Sequence, residues 1–152
     1  MALEIERKFL VASDDYRSGA IDSVRIRQGY LSRRPESTVR VRVCGERGYL
    51  TVKSKNSGMV RQEWEYEIPA ADAEEMLLLC DGVVIDKTRH MVPVGDHVWE
   101  VDEFHAPHSG LTVAEVELSG EHDDPGPLPP WVGAEVTGDP RYYNSMLAGS
   151  AE

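Results

Sequence analysis

The sequence predicts an all-β-dominated (α+β) fold: a closed, eight-stranded antiparallel β-barrel with a charged interior and two or three short helices outside. Three observations predict it. Eight segments alternate apolar and polar residues with a period of two, the signature of strands with one buried face. Short turns join most of them, and eight antiparallel strands commonly close into a barrel because closure removes exposed edges. The polar positions are sorted by charge sign, strand by strand, whereas a merely solvated face usually mixes signs.

In chain order, Leu3–Val11 places Glu4, Glu6 and Lys8 on one face and Leu3, Ile5 and Phe9 on the other. Ser13-Asp14-Asp15 is able to open a short helix. Ser23–Arg34 alternates again, Val24 and Ile26 against Arg25 and Arg27, with Gly29 marking a bulge. Thr38–Val43 sets three valines against Arg40 and Arg42, and Tyr49–Lys55 puts Thr51, Lys53 and Lys55 in phase. In Met59–Ile68, Glu63, Glu65 and Glu67 oppose Trp64, Tyr66 and Ile68. Asp72 followed by Glu75 reads as an N-cap and capping box for a helix over residues 72 to 80, ending before Gly82. Val83–Val92 carries Lys87 and Arg89, His97–Phe104 carries Glu100 and Asp102, and Leu111–Leu118 carries Glu115 and Glu117. Residues 119 to 130, rich in Gly, Pro and Asp, read as irregular. Asp139-Pro140 reads as a helix start, with the helix running from Arg141 to Ala148.

At 152 residues, with no repeat or low-complexity tract, the chain reads as one domain, 1–152. No apolar run approaches the roughly 18 to 20 residues of a membrane-spanning helix. The N-terminus has no basic segment followed by an apolar stretch, and Cys44 and Cys80 form no motif, so the expectation is a cytoplasmic protein with reduced thiols. A net charge of −11 argues against nucleic acid and anionic membrane as partners. An anionic ligand must then be held by a local cluster of cations or through metal ions.

Which face points inward decides the chemistry. Charged faces outward would leave an apolar lumen suited to a greasy ligand. The apolar faces, however, are rich in Val, Trp, Tyr and Ile, and the two helices together with Pro129-Pro130-Trp131 can cover them from outside. With the charges inside, the acids are Glu4, Glu6, Glu63, Glu65, Glu67, Glu100, Asp102, Glu115 and Glu117. The bases are Lys8, Arg25, Arg27, Arg40, Arg42, Lys53, Lys55, Lys87 and Arg89. Dry, such a lumen is untenable, because an unpaired buried charge costs several kcal/mol. A wide, hydrated tunnel that holds a polyanion on its basic strands and divalent cations on its acidic ones resolves that cost.

These residues carry a family resemblance. Glu4-x-Glu6-x-Lys8 within its strand resembles the signature of the CYTH superfamily, the triphosphate tunnel metalloenzymes. Arg27-Gln28-Gly29-Tyr30-Leu31, Val39-Arg40-Val41-Arg42, Leu50-Thr51-Val52-Lys53-Ser54, Lys87-Thr88-Arg89, Glu115-Val116-Glu117 and Asp139-Pro140-Arg141-Tyr142-Tyr143-Asn144 resemble segments of its short bacterial branch, in the expected order. The resemblance implies metal-dependent triphosphate hydrolysis inside the tunnel, with inorganic tripolyphosphate as substrate. Class IV-type adenylyl cyclase and thiamine or nucleoside triphosphatase are the enzymatic alternatives; a non-catalytic polyphosphate or nucleotide sensor is the alternative of another kind. It implies Mg²⁺ or Mn²⁺, as two ions, held by Glu4, Glu6, Glu63, Glu65, Asp102, Glu115 and Glu117. It implies phosphate contacts from Lys8, Arg27, Arg40, Arg42, Lys53, Lys87 and Arg89, with Lys8, Glu65 and Lys87 acting in catalysis. The expected partner is a small-molecule triphosphate, and the chain a monomer or homodimer. Residues 119 to 130 and Arg25 depart from the family's pattern and leave open how one tunnel mouth closes.

Other residues read less sharply. Arg25, Lys55, Glu67 and Glu100 fit tunnel lining and rim equally, and Tyr30 fits an end plug or an ordinary wall. His105 and His108, around Pro107, read as a surface turn rather than a metal pair because no third ligand accompanies them. Cys44 and Cys80 read as packing residues.

Overall fold

A computed structural model describes residues 2–57 and 59–149. Alternation of side chains fixes which residues extend: β1 (Ala2–Val11), β2 (Asp22–Arg34), β3 (Ser37–Cys44), β4 (Arg47–Ser54) and β5 (Val60–Ile68), then β6 (Asp81–Val94), β7 (His97–Phe104) and β8 (Thr112–Glu117). Two-residue turns with glycine first join β3 to β4 and β6 to β7; Gly45 and Gly95 take φ of 60° and 61°, a left-handed conformation that a side chain disfavours.

The strands pair antiparallel in the order β5-β4-β3-β2-β6-β7-β8-β1, and β1 meets β5 again to close the barrel. A ninth strand, β9 (Val132–Glu135), lies where the sequence showed no period. It takes up the edge of β1 that β5 leaves: Ile5 faces Val60, and from Phe9 onward the partner is β9. The register of β2 shifts on either side of Tyr30, beside the expected bulge at Gly29.

The apolar faces point outward and are covered, as anticipated. Phe9, Val92, Trp99, Val101, Ala114 and Val116 form a core beneath Tyr16 and Trp131. Tyr16 comes from a 3₁₀ turn, Asp14–Gly19, capped by Ser13, whose hydroxyl accepts from the Asp15 N–H. Val41 and Val43 form a second core with Ala73 and Leu77 of α1 (Ala70–Leu77). This helix starts two residues earlier than Asp72 and carries no side-chain cap, because its N-cap, Pro69, has no side-chain oxygen to accept a bond. Beyond Leu77 the backbone tightens into turns ending with Cys80 N–H to the Leu77 carbonyl, so residues 78–80 fall outside the helix.

The predicted helix over 141–148 divides in two. Asp139 caps a 3₁₀ turn, Pro140–Tyr142, Tyr143 is extended, and α2 (Asn144–Leu147) follows. Leu147 and Ala148 pack on the inward-facing Tyr30, Ile85, Phe104 and Val113, so this segment closes one barrel end rather than lying on the wall. His108, buried beside Phe104, donates from Nε2 to the Leu147 carbonyl at 2.8 Å, and His105 Nε2 bonds the Thr88 hydroxyl instead; the two histidines serve separate contacts, and His108 is not at the surface.

Candidate active site

Inside the barrel lies a cavity of about 200 Å³ walled by charged and polar side chains. β1 supplies Glu4, Glu6 and Lys8, β3 supplies Arg40 and Arg42, β4 supplies Lys53, β5 supplies Arg61, Glu63 and Glu65, β6 supplies Arg89, β7 supplies Glu100, and β8 supplies Glu115 and Glu117. Residues directly opposed on antiparallel strands share a face, and here that rule sets base against acid. Lys8 faces Glu115, Lys53 faces Glu63, and Arg89 faces Asp102.

The resulting pairs are close. Lys8 Nζ is 3.2 Å from Glu115, Lys53 Nζ is 2.8 Å from Glu4, and Lys87 Nζ is 2.7 Å from Asp102. Arg89 grips Asp102 through two bonds, Nε at 2.8 Å and Nη2 at 3.0 Å. Glu65 accepts from the Thr51 hydroxyl at 2.9 Å and stands 3.6 Å from both Arg40 and Arg42. Arg40 Nε, Arg42 Nε and both amide atoms of Gln28 are buried with no hydrogen-bond partner among the described residues. Two arginine donors aimed at nothing are an invitation to an anion.

Charge crowding splits the carboxylates. Burial, then Glu115, pushes Glu6 well above the usual carboxylate range, whereas Glu115, though buried, is held well below it by Lys8 and by its hydrogen bond from Glu6. The two carboxyls titrate together, with Glu6 the more reluctant to ionise. Burial raises Glu63, Glu100 and Glu117 as well. Glu4 and Asp102 go the other way: burial opposes their ionisation, but Lys53 holds the first, and Arg89 with Lys87 the second, down to about 2.

Most expected site residues converge here, with differences in placement. Lys87 and Asp102 face inward but lie deeper than the cavity's lining, Lys87 beside Phe104 and bonded to the lining Asn144, and Asp102 spends both oxygens on Arg89 and Lys87. Arg27 is a correction. It is outside the barrel, bonded to Glu74 of α1, because the inward parity of β2 is Ile26, Gln28 and Tyr30; Arg27 pairs in register with Val43 and Asp86. Arg25 is likewise outside, on Asp86, Glu67 is at the rim near Arg47, and Glu100 lines the tunnel. The sequence pattern gives Arg61, Asn144 and Gln28 no site role, and puts Thr51 in phase with Lys53 without assigning it one. Arg61 was findable, since it shares parity with Glu63 and Glu65. Asn144, which accepts from Lys87 Nζ at 3.2 Å, belongs to no periodic pattern.

The donor set fits hard divalent cations. Glu4, Glu6, Glu115 and Glu117 offer only carboxylate oxygens from two adjacent strands, the ligand type Mg²⁺ and Mn²⁺ take. Among the described residues no three acidic, histidine or cysteine side chains already surround one point, because Lys53 and Lys8 stand against Glu4 and Glu115.

The sequence profile of the CYTH domain matches residues 2–143. The chain is 48% identical over 148 residues to an inorganic triphosphatase of Acetivibrio thermocellus, covering 97% of this chain and 94% of that protein. It is 38% identical over 148 residues to an inorganic triphosphatase of Nitrosomonas europaea, covering 95% and 96%. A crystal structure of an inorganic triphosphatase superposes with a TM-score of 0.70 at 37% identity, covering 99% of this chain and 97% of the other.

Proposed function

Because the chain belongs to the CYTH domain family, we propose that it is a divalent-metal-dependent triphosphatase that cleaves inorganic tripolyphosphate to pyrophosphate and phosphate inside the barrel. The observation that carries the reading is the charge content of one cavity: six cations (Lys8, Arg40, Arg42, Lys53, Arg61, Arg89) and seven carboxylates (Glu4, Glu6, Glu63, Glu65, Glu100, Glu115, Glu117). A polyanion entering alone makes this lumen more negative. A polyanion entering with divalent cations on the carboxylates restores the balance, so the wall is complementary to the pair.

Glu4, Glu6, Glu115 and Glu117, with Glu63, are the residues to hold the ions. When bound, such ions polarise phosphate oxygens and lower the pKa of coordinated water. The chain's own side chains do the rest. Arg40, Arg42, Lys53 and Arg89 grip the phosphates, while Lys8 neutralises charge on the transferred group. Phosphoryl transfer demands mainly positioning and electrostatics of this kind. Glu65 fixes both arginines and orients the attacking water, and Lys87 accepts the water's proton. Water attacks the terminal phosphorus, the bridging P–O bond breaks, and pyrophosphate leaves with its electron pair.

The test is a product assay on triphosphate, pyrophosphate, ATP and thiamine triphosphate with Mg²⁺ and Mn²⁺ in turn. Inorganic triphosphate should give phosphate and pyrophosphate, and chelator or Glu4→Gln should abolish this. Cyclic AMP from ATP would instead make the chain a cyclase, and tight binding without turnover a sensor.

A further inference from the structure

Gln28 lies in the middle of β2, is fully buried, and leaves both atoms of its amide without a hydrogen-bond partner among the described residues. A glutamine amide has two donor hydrogens and an acceptor oxygen, and a buried polar group left unpaired costs about 1–3 kcal/mol. Across the ladders Gln28 meets Arg42 of β3 on one side and Ile85 of β6 on the other. Ile85 belongs to the apolar layer that Leu147 and Ala148 close, whereas Arg42 lines the tunnel. Methionine would suit such a place better if packing were all that it asked of a side chain.

Arg42 is unsatisfied in the same way. Its Nε is buried with no partner among the described residues, and Glu65 stands 3.6 Å from its Nη2. Residues directly opposed on an antiparallel ladder have Cβ atoms about 4.5–5.5 Å apart, so the amide of Gln28 and the guanidinium of Arg42 are within reach of each other without bonding. Arg42 holds its proton less firmly than an ordinary arginine, because burial and then Arg40 and Arg89 disfavour its charge. A carboxylate opposite it would restore that proton but cancel the charge that a phosphate needs. An amide oxygen accepts from the guanidinium and leaves its charge whole. The buried donor that comes with it is what a neutral acceptor entails.

Resting on the triphosphatase reading, we propose that Gln28 is a positioning residue for Arg42: as a phosphate draws the guanidinium away from Glu65, Gln28 Oε1 accepts from Arg42 Nε and fixes the plane in which the arginine meets the phosphate. Gln28 itself stays behind the tunnel wall and acts only through Arg42.

The experiment is a double-mutant cycle of Gln28→Met and Arg42→Lys, read in stability and in turnover. Gln28→Met keeps the length of the side chain and removes both unpaired atoms, so the midpoint in denaturant should be unchanged or raised. The kcat/KM for inorganic triphosphate with Mg²⁺ should nevertheless fall about tenfold or more, the effect of losing a hydrogen bond to a charged group. Arg42→Lys removes the Nε–H, and in that background Gln28→Met should change kcat/KM by no more than about twofold. Gln28→Glu, which keeps the acceptor but cancels the charge, should also fall well short of native kcat/KM. The assignment is overturned if Gln28→Met lowers the midpoint, if it leaves kcat/KM within about twofold of native, if its loss is the same size with and without Arg42, or if Gln28→Glu matches the native chain. Absence of any triphosphate turnover by the native chain is a failure of the catalytic reading instead. Calorimetric titration of the four proteins of the cycle with inorganic triphosphate and Mg²⁺ then decides the role of Gln28 from their dissociation constants, and absence of binding as well overturns both.

Discussion

Around Asp102, two cations compete for one carboxylate. Arg89 takes both oxygens, and Lys87 shares the second, so a buried group of three carries a net positive charge. Burial, with the Arg89 charge beside it and only partly offset by Asp102, pulls the Lys87 ammonium down to about 8. A fraction of Lys87 is therefore a neutral amine in mildly alkaline solution, where a proton acceptor is most effective. The kcat for triphosphate should rise as pH passes through about 8. Lys87→Arg, which cannot deprotonate, should flatten that limb and lower kcat by about 100-fold or more. A native limb that falls through the same range would confine Lys87 to gripping phosphate as an ammonium. That Lys87 faces inward was legible from its parity with Arg89. Its lowered pKa was not, since that depends on how Arg89 already occupies Asp102. Arg27 shows the opposite failure: sorting by sign groups it with the tunnel arginines, but the sign of a charge does not say which parity of β2 faces in, and its partner, Glu74, lies outside.

Among the elements, α1 lies so close to the barrel wall that two strands must surrender side chains to it. A Cβ on Gly48 would sit 2.8 Å from the Ala73 Cβ, and one on Gly29 would sit 2.4 Å from Cys80 Sγ and 2.8 Å from the Cys80 Cβ. Gly29 is thus doubly determined, by the bulge beside it and by the turn that ends α1. Gly29→Ala should cost about 1–3 kcal/mol, the usual effect of overpacking, read as a lowered midpoint in denaturant. Cys80→Ala alone should cost less, and the double variant should recover only part of the loss, because the Cys80 Cβ remains in the way. Independence of the two changes would mean that the helix end moves freely. The eight barrel strands were legible because each buries one face on a core and so alternates strictly. β9 has only four residues and joins β1 where β5 runs out, which no local period records. The helix boundaries shifted for a similar reason: Pro69 and an extended Tyr143 override the capping pattern of Asp72 and the continuous apolar spacing after Arg141.

For the molecule as a whole, stability and metal binding are linked through the same carboxylates. Asp102 and Glu4 have folded values near 2, below those of an unfolded chain, so their contribution is present above the ordinary carboxylate range and disappears as pH falls toward 2. Glu6, Glu63, Glu100 and Glu117 have raised folded values, so the folded state binds their protons more tightly than the unfolded state does. Their contribution is greatest at low pH and disappears as pH climbs from the ordinary carboxylate range through those raised values. In chelator, then, Tm should peak on the acid side of neutrality and decline toward neutral and alkaline pH, as like charges accumulate in the tunnel. Divalent cation reverses the decline, because the proton that leaves Glu6 vacates a ligand oxygen. At 100 times its dissociation constant, Mg²⁺ or Mn²⁺ should add about 2.7 kcal/mol, and at one fixed concentration the gain should grow with pH as the acids deprotonate and that constant falls. Thermal melts across a pH series, in EDTA and in Mg²⁺, separate the two effects. A metal-induced rise in Tm of the same size at pH 5 and pH 8 would mean that the ions bind elsewhere, away from Glu6 with its raised value and from Glu115. A gain confined to higher pH would tie the net charge of −11, the sorted strands and the hydrated lumen to one requirement: that cations enter with the substrate.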